Sequence, residues 1–396
     1  MKPLGTNQSV SKIRNQRLIK RIIFTAGSIS RADVAEKSGL TEASVSIITS
    51  KLIEDGILEE FPEPEEDGIK RRGRKRKLLR INKNYAYFIG IDIGPYKTAF
   101  CLMNLFGEIL KTEHYVKDAL TYEAIREMAV EKGKDFYTTL SEEQKERVLA
   151  AGLSVPARIN KAGDQIIDDR YEVPELSLAE EAKEALGFPV SLINNVKARA
   201  IDHALYHQAA HQDFLYFYAG YGLACQYVLH DSQNRLLLPG DGEIGHSIVG
   251  DLDFHCPYCH KEGCLESYVA EPLLKKRMAA LPEMKEQGIP AFKDLVEKLD
   301  KEQLPEAVEH IFRESMEKTA LLIRAFHDFI SPDNIYFSGT IFESLRCRQW
   351  LSDALENLAF RRDDIGGKIE FLESGPEDGA RGAASTALLH HYLHQF

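Results

Sequence analysis

Residues 87–116 read YFIGIDIGPYKTAFCLMNLFGEILKTEHYV. Within them YFIGIDIG and TAFCLMNL are apolar runs of strand length, Asn104 to Gly107 make a turn, and EILKTEHYV supplies a third strand, the pattern of a β-meander. The same order recurs downstream as FLYFYAGYG (214–222), LACQYVLH (223–230), a turn at Asp231 to Asn234, and RLLL (235–238). One meander written twice, each copy followed by mixed helices and strands, points to an α/β fold of two lobes made by internal duplication. A ligand cleft between the lobes follows from that arrangement.

Ahead of the first meander the periodicity is helical. Ile13, Leu18, Ile22, Ile23 and Phe24 suit the inner face of an amphipathic first helix, stopped by Gly27. Ser30 caps a short second helix, RADVAEKSG, with Val34 and Ala35 facing inward and Gly39 at its end. Thr41 caps a third helix whose buried stripe is Val45, Ile48 and Leu52. Two short helices joined by a Ser-Gly-Leu turn form a helix-turn-helix, and the apolar runs ILEEF and KLLRI around a polar tip at residues 62–69 add a wing. In this reading the third helix lies in the major groove of double-stranded operator DNA, presenting Glu42, Ala43, Ser44, Ser46 and Ile47 to the bases. Arg31, Lys51 and the amides of the helix start beside Thr41 hold phosphates. Arg71, Arg72 and Arg74 in the wing suit a narrow minor groove, where A·T-rich sequence concentrates negative potential.

Charge supports that placement. The net charge is −11, yet residues 1–80 hold 17 Lys and Arg against 11 Asp and Glu, so this segment is +6 and the rest −17. A basic head on an acidic body suggests that one end touches a polyanion. At 44% hydrophobic and 28% charged residues, the composition is that of folded soluble protein and excludes wholesale disorder. The basic N-terminus lacks an apolar segment, and no later run approaches about 18 uncharged apolar residues, which argues against secretion and membrane spanning. The expected location is the cytoplasm.

Three of the six cysteines crowd into nine residues, which suggests a reducing compartment and a metal site in place of disulfides. His246, Cys256, Cys259 and Cys264 are spaced His-x9-Cys-x2-Cys-x4-Cys, supplying one imidazole and three thiolates for a closed tetrahedral zinc site of structural type. Such a metal orders its loop and couples to its folding. His255 and His260 are rival nitrogen ligands.

These residues resemble the ROK family, which groups sugar kinases with sugar-responsive repressors on an actin-like ATPase fold. The resemblance spans essentially the whole chain, including the helix-turn-helix of the repressor branch. GIDIG (90–94) looks like the family's first phosphate loop and Gly220-Tyr221-Gly222 like its second. Gly242-Glu243-Ile244-Gly245-His246 and Gly263-Cys264-Leu265-Glu266 match its sugar and zinc signature. Ser338-Gly339-Thr340 and Gly379-Ala380-Arg381-Gly382-Ala383-Ala384 resemble the strand and helix start that line the nucleotide cleft. The cysteine cluster departs by one residue, Cys-Pro-Tyr-Cys standing where Cys-x-Cys-Gly is usual. The resemblance implies a winged helix-turn-helix at residues 1–82, a first lobe at 83–200 and a second at 201–396 that carries the zinc, its last helix returning to the first lobe. It implies further that Asn194, Asn195, Glu243, His246 and Glu266 hold sugar hydroxyls, as paired donors and acceptors can.

Phosphoryl transfer needs more than sugar binding: a phosphate loop open to close backbone approach, a Mg-linked acid and a carboxylate base. Here Pro95 and Tyr96 follow Asp92-Ile93-Gly94 where family kinases have Gly-Thr, so an amide donor is lost and bulk is added. Asn195 stands where the family's catalytic aspartate falls, and Ala224 and Cys225 replace glycines after the second loop. The expectation is therefore a repressor of carbohydrate genes with no catalytic residues, a homodimer or dimer of dimers whose monosaccharide or sugar-derivative effector shifts lobe closure and DNA affinity. Two alternatives stand beside it, a sugar kinase with a DNA-binding appendage and a regulator gated by a protein or phosphosugar.

Overall fold

A computed structural model describes residues 8–63, 76–116, 120–168, 171, 177–207, 212–231, 235–252, 254–285, 288–359 and 365–393. Three N-terminal helices, α1 (Gln8–Ala26), α2 (Arg31–Ser38) and α3 (Glu42–Glu54), pack with strands β1 (Ile29–Ser30), β2 (Leu58–Pro62) and β3 (Lys77–Ile81). These strands form an antiparallel sheet in the order β1-β3-β2. The expected caps are in place: Ser30 Oγ accepts from Asp33 N at 3.3 Å, and Thr41 Oγ1 from Ser44 N at 3.2 Å. Each such cap contributes about 1 kcal/mol to its helix. Gly39 takes φ +67° to end α2, a backbone state in which a side chain would be strained.

The first helix departs from the sequence reading. Its deepest residues are Ile19 and Ile23, both at 0% exposure, while Ile13 is 49% exposed. Ile19 and Ile23 are one turn apart and share a face, so the seam is narrower than the five-residue stripe expected from periodicity.

Two five-stranded sheets follow, and they are copies of each other in topology. The first, in order β6-β5-β4-β7-β8, uses β4 (Tyr87–Ile93), β5 (Lys97–Asn104), β6 (Ile109–Val116), β7 (Val148–Val155) and β8 (Val190–Asn194). The second, β11-β10-β9-β12-β13, uses β9 (Phe214–Ala219), β10 (Leu223–His230), β11 (Leu236–Leu237), β12 (Asn334–Ser338) and β13 (Ile369–Phe371). In each, the meander is antiparallel and the last two strands join its first strand in parallel. The duplication seen in the sequence is thus a duplication of sheets. The helix Asn195–Tyr206 links them and runs through residue 200, where the sequence reading divides the lobes. Among the described residues no helix is long and apolar enough to cross a membrane.

The helix Asp378–Leu388 near the C-terminus lies on the first sheet at backbone distance. A Cβ built on Gly90 of β4 would fall 1.8 Å from the Ala380 carbonyl oxygen, and one on Gly152 of β7 would fall 1.8 Å from that of Ala383. A buried ion pair fastens the same helix to the linking helix: Arg381 donates to Asp202 at 2.9 Å through Nε, and Ser385 donates to the other carboxyl oxygen at 2.8 Å. Beyond it, Tyr392 meets Phe88 edge-on with ring centroids 6.3 Å apart, and Lys20 of α1 sits 5.7 Å from the Tyr392 ring centre. The N-terminal domain therefore shares one continuous apolar core with the first sheet, running from Ile19 and Leu79 through Phe88 to Leu388. Gly152→Ala is expected to lower stability by roughly 3 kcal/mol, because the methyl meets backbone and not a movable side chain. Thermal unfolding reads this as a fall of several degrees, and an unchanged melting temperature would show that the helix does not sit on β7 in this way.

Candidate functional site

The two sheets enclose a cleft of about 620 Å³, and all five residues implicated in sugar contact line it: Asn194, Asn195, Glu243, His246 and Glu266. Their side chains are differently disposed. Asn194 caps the linking helix, its Oδ1 accepting from the amides of Val196 (2.9 Å) and Lys197 (3.3 Å) while Nδ2 donates to the Ala157 carbonyl at 3.2 Å. This residue shapes the site as a helix cap. Asn195, first in that helix, is partly buried. Glu266 is 5% exposed, at the start of the short helix Leu265–Val269. Gly245 is glycine because a Cβ there would fall 2.3 Å from a Glu266 carboxyl oxygen. Glu243 is exposed at the cleft and His246 is half-buried.

The floor of the cleft joins Asp92 of the first loop to Ser154, Arg199 and Tyr218, which the sequence reading passed over. Asp92, near the end of β4, accepts from Ser154 Oγ at 2.5 Å and pairs with the Arg199 guanidinium at 3.3 Å. Arg199 lies in turn over the ring of Tyr218, 5.1 Å from its centre. At the mouth, Tyr96 and Tyr221 meet edge to face with centroids 5.5 Å apart. Glu271 also lines the cleft, and burial holds its carboxyl above the usual carboxylate range. Arg199 could have been found only by asking which cation answers Asp92.

Beside the cleft, His246, Cys256, Cys259 and Cys264 present ligand atoms that all lie within 4.8 Å of one another. Local geometry brings them together: Ile248 bridges Cys264 and His255 bridges Glu262. Gly263 takes φ +70°, and a Cβ on it would fall 1.9 Å from the Gly250 carbonyl oxygen. Cys256 and Cys264 are fully buried. Burial pushes the Cys256 thiol up to about 12, so a bound cation is what would favour the thiolate there. Three sulfurs and one imidazole nitrogen fit a tetrahedral metal, and the four side chains could hold one. Of the rival nitrogens, His255 Nδ1 faces Glu262 at 3.2 Å on the surface, and His260 is exposed at φ 58°.

In the N-terminal domain, Glu42, Ala43, Ser46 and Ile47 lie on the exposed side of α3, Ile47 being 72% exposed, and Ser44 is partly buried beside the Thr41 cap. Lys51 pairs with Asp55 at 2.8 Å. Arg31 turns inward, joining Glu60 and donating to Thr49 Oγ1 at 3.0 Å, so its guanidinium is engaged within the domain. Arg71, Arg72 and Arg74 lie outside the described residues.

A model of the ROK family matches residues 88–390. The xylose repressor of Bacillus spizizenii is 25% identical over 275 residues, 69% of this chain and 70% of the repressor. The DNA-binding transcriptional dual regulator NagC of Escherichia coli is 25% identical over 354 residues, 85% of this chain and 83% of its own. Among solved structures, a ROK family transcriptional regulator described as a homologue of the E. coli MLC protein matches with a TM-score of 0.78 at 20% identity, covering 97% of both chains. That last likeness is one of fold, and it extends over the N-terminal domain as well as both sheets.

The metal cluster yields a direct expectation. Wild-type protein purified without chelator carries about one metal ion per chain by elemental analysis, whereas Cys264→Ser carries well under half of that and melts several degrees lower. Equal metal content in the two proteins would remove Cys264 from the site.

Proposed function

The chain belongs to the ROK family, and from that premise we propose that it is a DNA-binding repressor of carbohydrate-metabolism genes whose effector sugar binds the cleft between the sheets. One observation carries the reading. Asn195, Glu243, His246 and Glu266 line a single cavity, where their carboxylates, amide and imidazole provide hydrogen bonds for vicinal hydroxyls, yet the group at 195 is an amide. An amide hydrogen-bonds a hydroxyl but cannot take its proton, so the cleft binds sugar without activating it. Relatives named xylose repressor and DNA-binding transcriptional dual regulator support the same conclusion.

The alternative of a sugar kinase is disfavoured by three features of the cleft. Proline at 95 offers no amide to a phosphate, the Tyr96 ring meets Tyr221 between the two loops, and Asp92 is already paired with Arg199. In this proposal the protein is not an enzyme. The ion held by His246, Cys256, Cys259 and Cys264 is zinc, by donor softness, and its role is to fix the loop that carries His246. A second copy of the chain supplies the second recognition helix, since half-sites in operator DNA mirror a two-fold protein. Such a repressor works in the cytoplasm.

Sugar binding couples to DNA if the sugar prefers one lobe arrangement. The test is a thermal-shift panel of monosaccharides, amino sugars and sugar phosphates, in which a ligand of the folded state raises the melting temperature by mass action. Glu266→Gln is expected to abolish that rise and leave operator binding intact, because it removes one buried acceptor charge without changing shape. A normal shift in this variant would place the sugar elsewhere. In the N-terminal domain, Ser46→Glu sets a carboxylate against the nucleic-acid backbone and is expected to weaken operator binding by about 30-fold or more, while the sugar shift stays unchanged. Undiminished binding by this variant would show that α3 is not the recognition helix.

A further inference from the structure

The floor of the cleft contains a cation that belongs to the chain. Asp92 lies near the end of β4 against the first turn of the helix Asp378–Leu388, where a Cβ on Gly379 would fall 1.8 Å from its Oδ2 and 2.7 Å from Arg199 NH2. A carboxylate at a strand end, a neighbouring serine and a helix N-terminus together make a place where a divalent cation and the phosphate it carries can be held. Here the positive charge is a guanidinium. The Arg199 and Asp92 side chains are only 13% and 15% exposed, so their attraction is poorly screened by solvent and salt. Arg199 belongs to the linking helix, Asp92 to the first sheet and Tyr218, over whose ring the guanidinium lies, to the second.

The mouth shows a parallel feature. Tyr96 sits between β4 and β5, and Tyr221 between β9 and β10, so the two occupy corresponding loops of the duplicated meanders. Their rings meet at 82°, the edge-to-face geometry that the aromatic quadrupole favours. Floor and mouth are thus both bridged between sheets by side chains of this chain.

We propose that Arg199, with the Tyr96–Tyr221 contact, is a resident clasp that joins the two sheets in the place of a metal–phosphate ligand, so that the cleft closes without magnesium or nucleotide. Arg199 is on this view a positioning and specificity-determining residue: it satisfies Asp92, and its charge repels a divalent cation from the same oxygens. The proposal goes beyond the sugar reading and does not depend on it, since the cleft could take a different effector and still be clasped in this way.

The experiment uses the full-length protein with Mg2+ alone, then with Mg2+ and a non-hydrolysable ATP analogue. Wild type is expected to show no Mg2+-dependent change in melting temperature and no calorimetric binding of the analogue. Arg199→Ala frees the Asp92 carboxylate and is expected to bind Mg2+ at least about tenfold more tightly than wild type. The double variant Arg199→Ala with Asp92→Asn loses that gain, which distinguishes a charge vacancy from general loosening. Should Arg199→Ala not fold, Arg199→Gln reads the same gain while keeping a donor toward Asp92. At the mouth, Tyr96→Ala and Tyr221→Ala each lower the melting temperature, and the double variant falls by less than the sum of the two. The proposal is overturned if wild type responds to Mg2+ as strongly as the arginine variants, if neither arginine variant gains Mg2+ binding, or if the tyrosine effects simply add. Absence of any sugar response, with the Mg2+ gain present, sinks the sugar reading and leaves the clasp standing.

Discussion

The helix Asp378–Leu388 meets β4 and β7 at backbone contact, and the rest of the structure depends on that seat. Gly90 and Gly152 let it rest on the strands with no side chains between them, and such a contact transmits displacement because nothing compressible separates the parts. Its first turn presses on Asp92 and Arg199 at the cleft, its middle is pinned to the linking helix by Arg381 and Asp202, and the turn that follows it carries Tyr392 to α1. The cleft and the DNA-binding domain are therefore two ends of one rigid element. A repressor needs such an element, since a ligand can alter DNA affinity only through a structure that both sites bias.

In the proposed function a phosphorylation cleft becomes a receptor by small chemical changes. On the proposed reading hydroxyl recognition is kept by Glu266, which is buried beside Gly245 and Gly222. On the same reading the amide at Asn195 cannot abstract a proton, and the floor's carboxylate is paired internally with Arg199. His246, Cys256, Cys259 and Cys264 could hold a metal that would brace the loop between them, and His246 and Cys259 also line the cleft.

Much of this was legible in the sequence where information is local. The caps at Ser30 and Thr41, the two meanders and the His-Cys-Cys-Cys spacing all depend on residues within a few turns or one loop, and each formed as the pattern required. What escaped reading depends on distant partners. Arg199 looks like any charged residue on a helix until its partner, 107 positions away, is known. Asp202 and Arg381 are 179 apart. Ile19 was missed because an apolar-rich helix offers several plausible faces, and only docking against β3 and the first sheet selects one. Arg31, expected to hold phosphate, is also engaged by Glu60 and Thr49, which the sheet and α3 bring near and the local sequence does not reveal.

In the proposed function, sugar in the cleft and DNA at the recognition helices act on one shared equilibrium. The direct measurement is reciprocal linkage: titrate a fluorescent operator duplex with protein at zero and saturating sugar, then titrate sugar into free and operator-bound protein. The factor by which sugar changes DNA affinity is expected to equal the factor by which DNA changes sugar affinity, with both different from one. An operator affinity indifferent to every sugar the protein binds, with phosphorylated sugar accumulating when ATP is supplied, would contradict it.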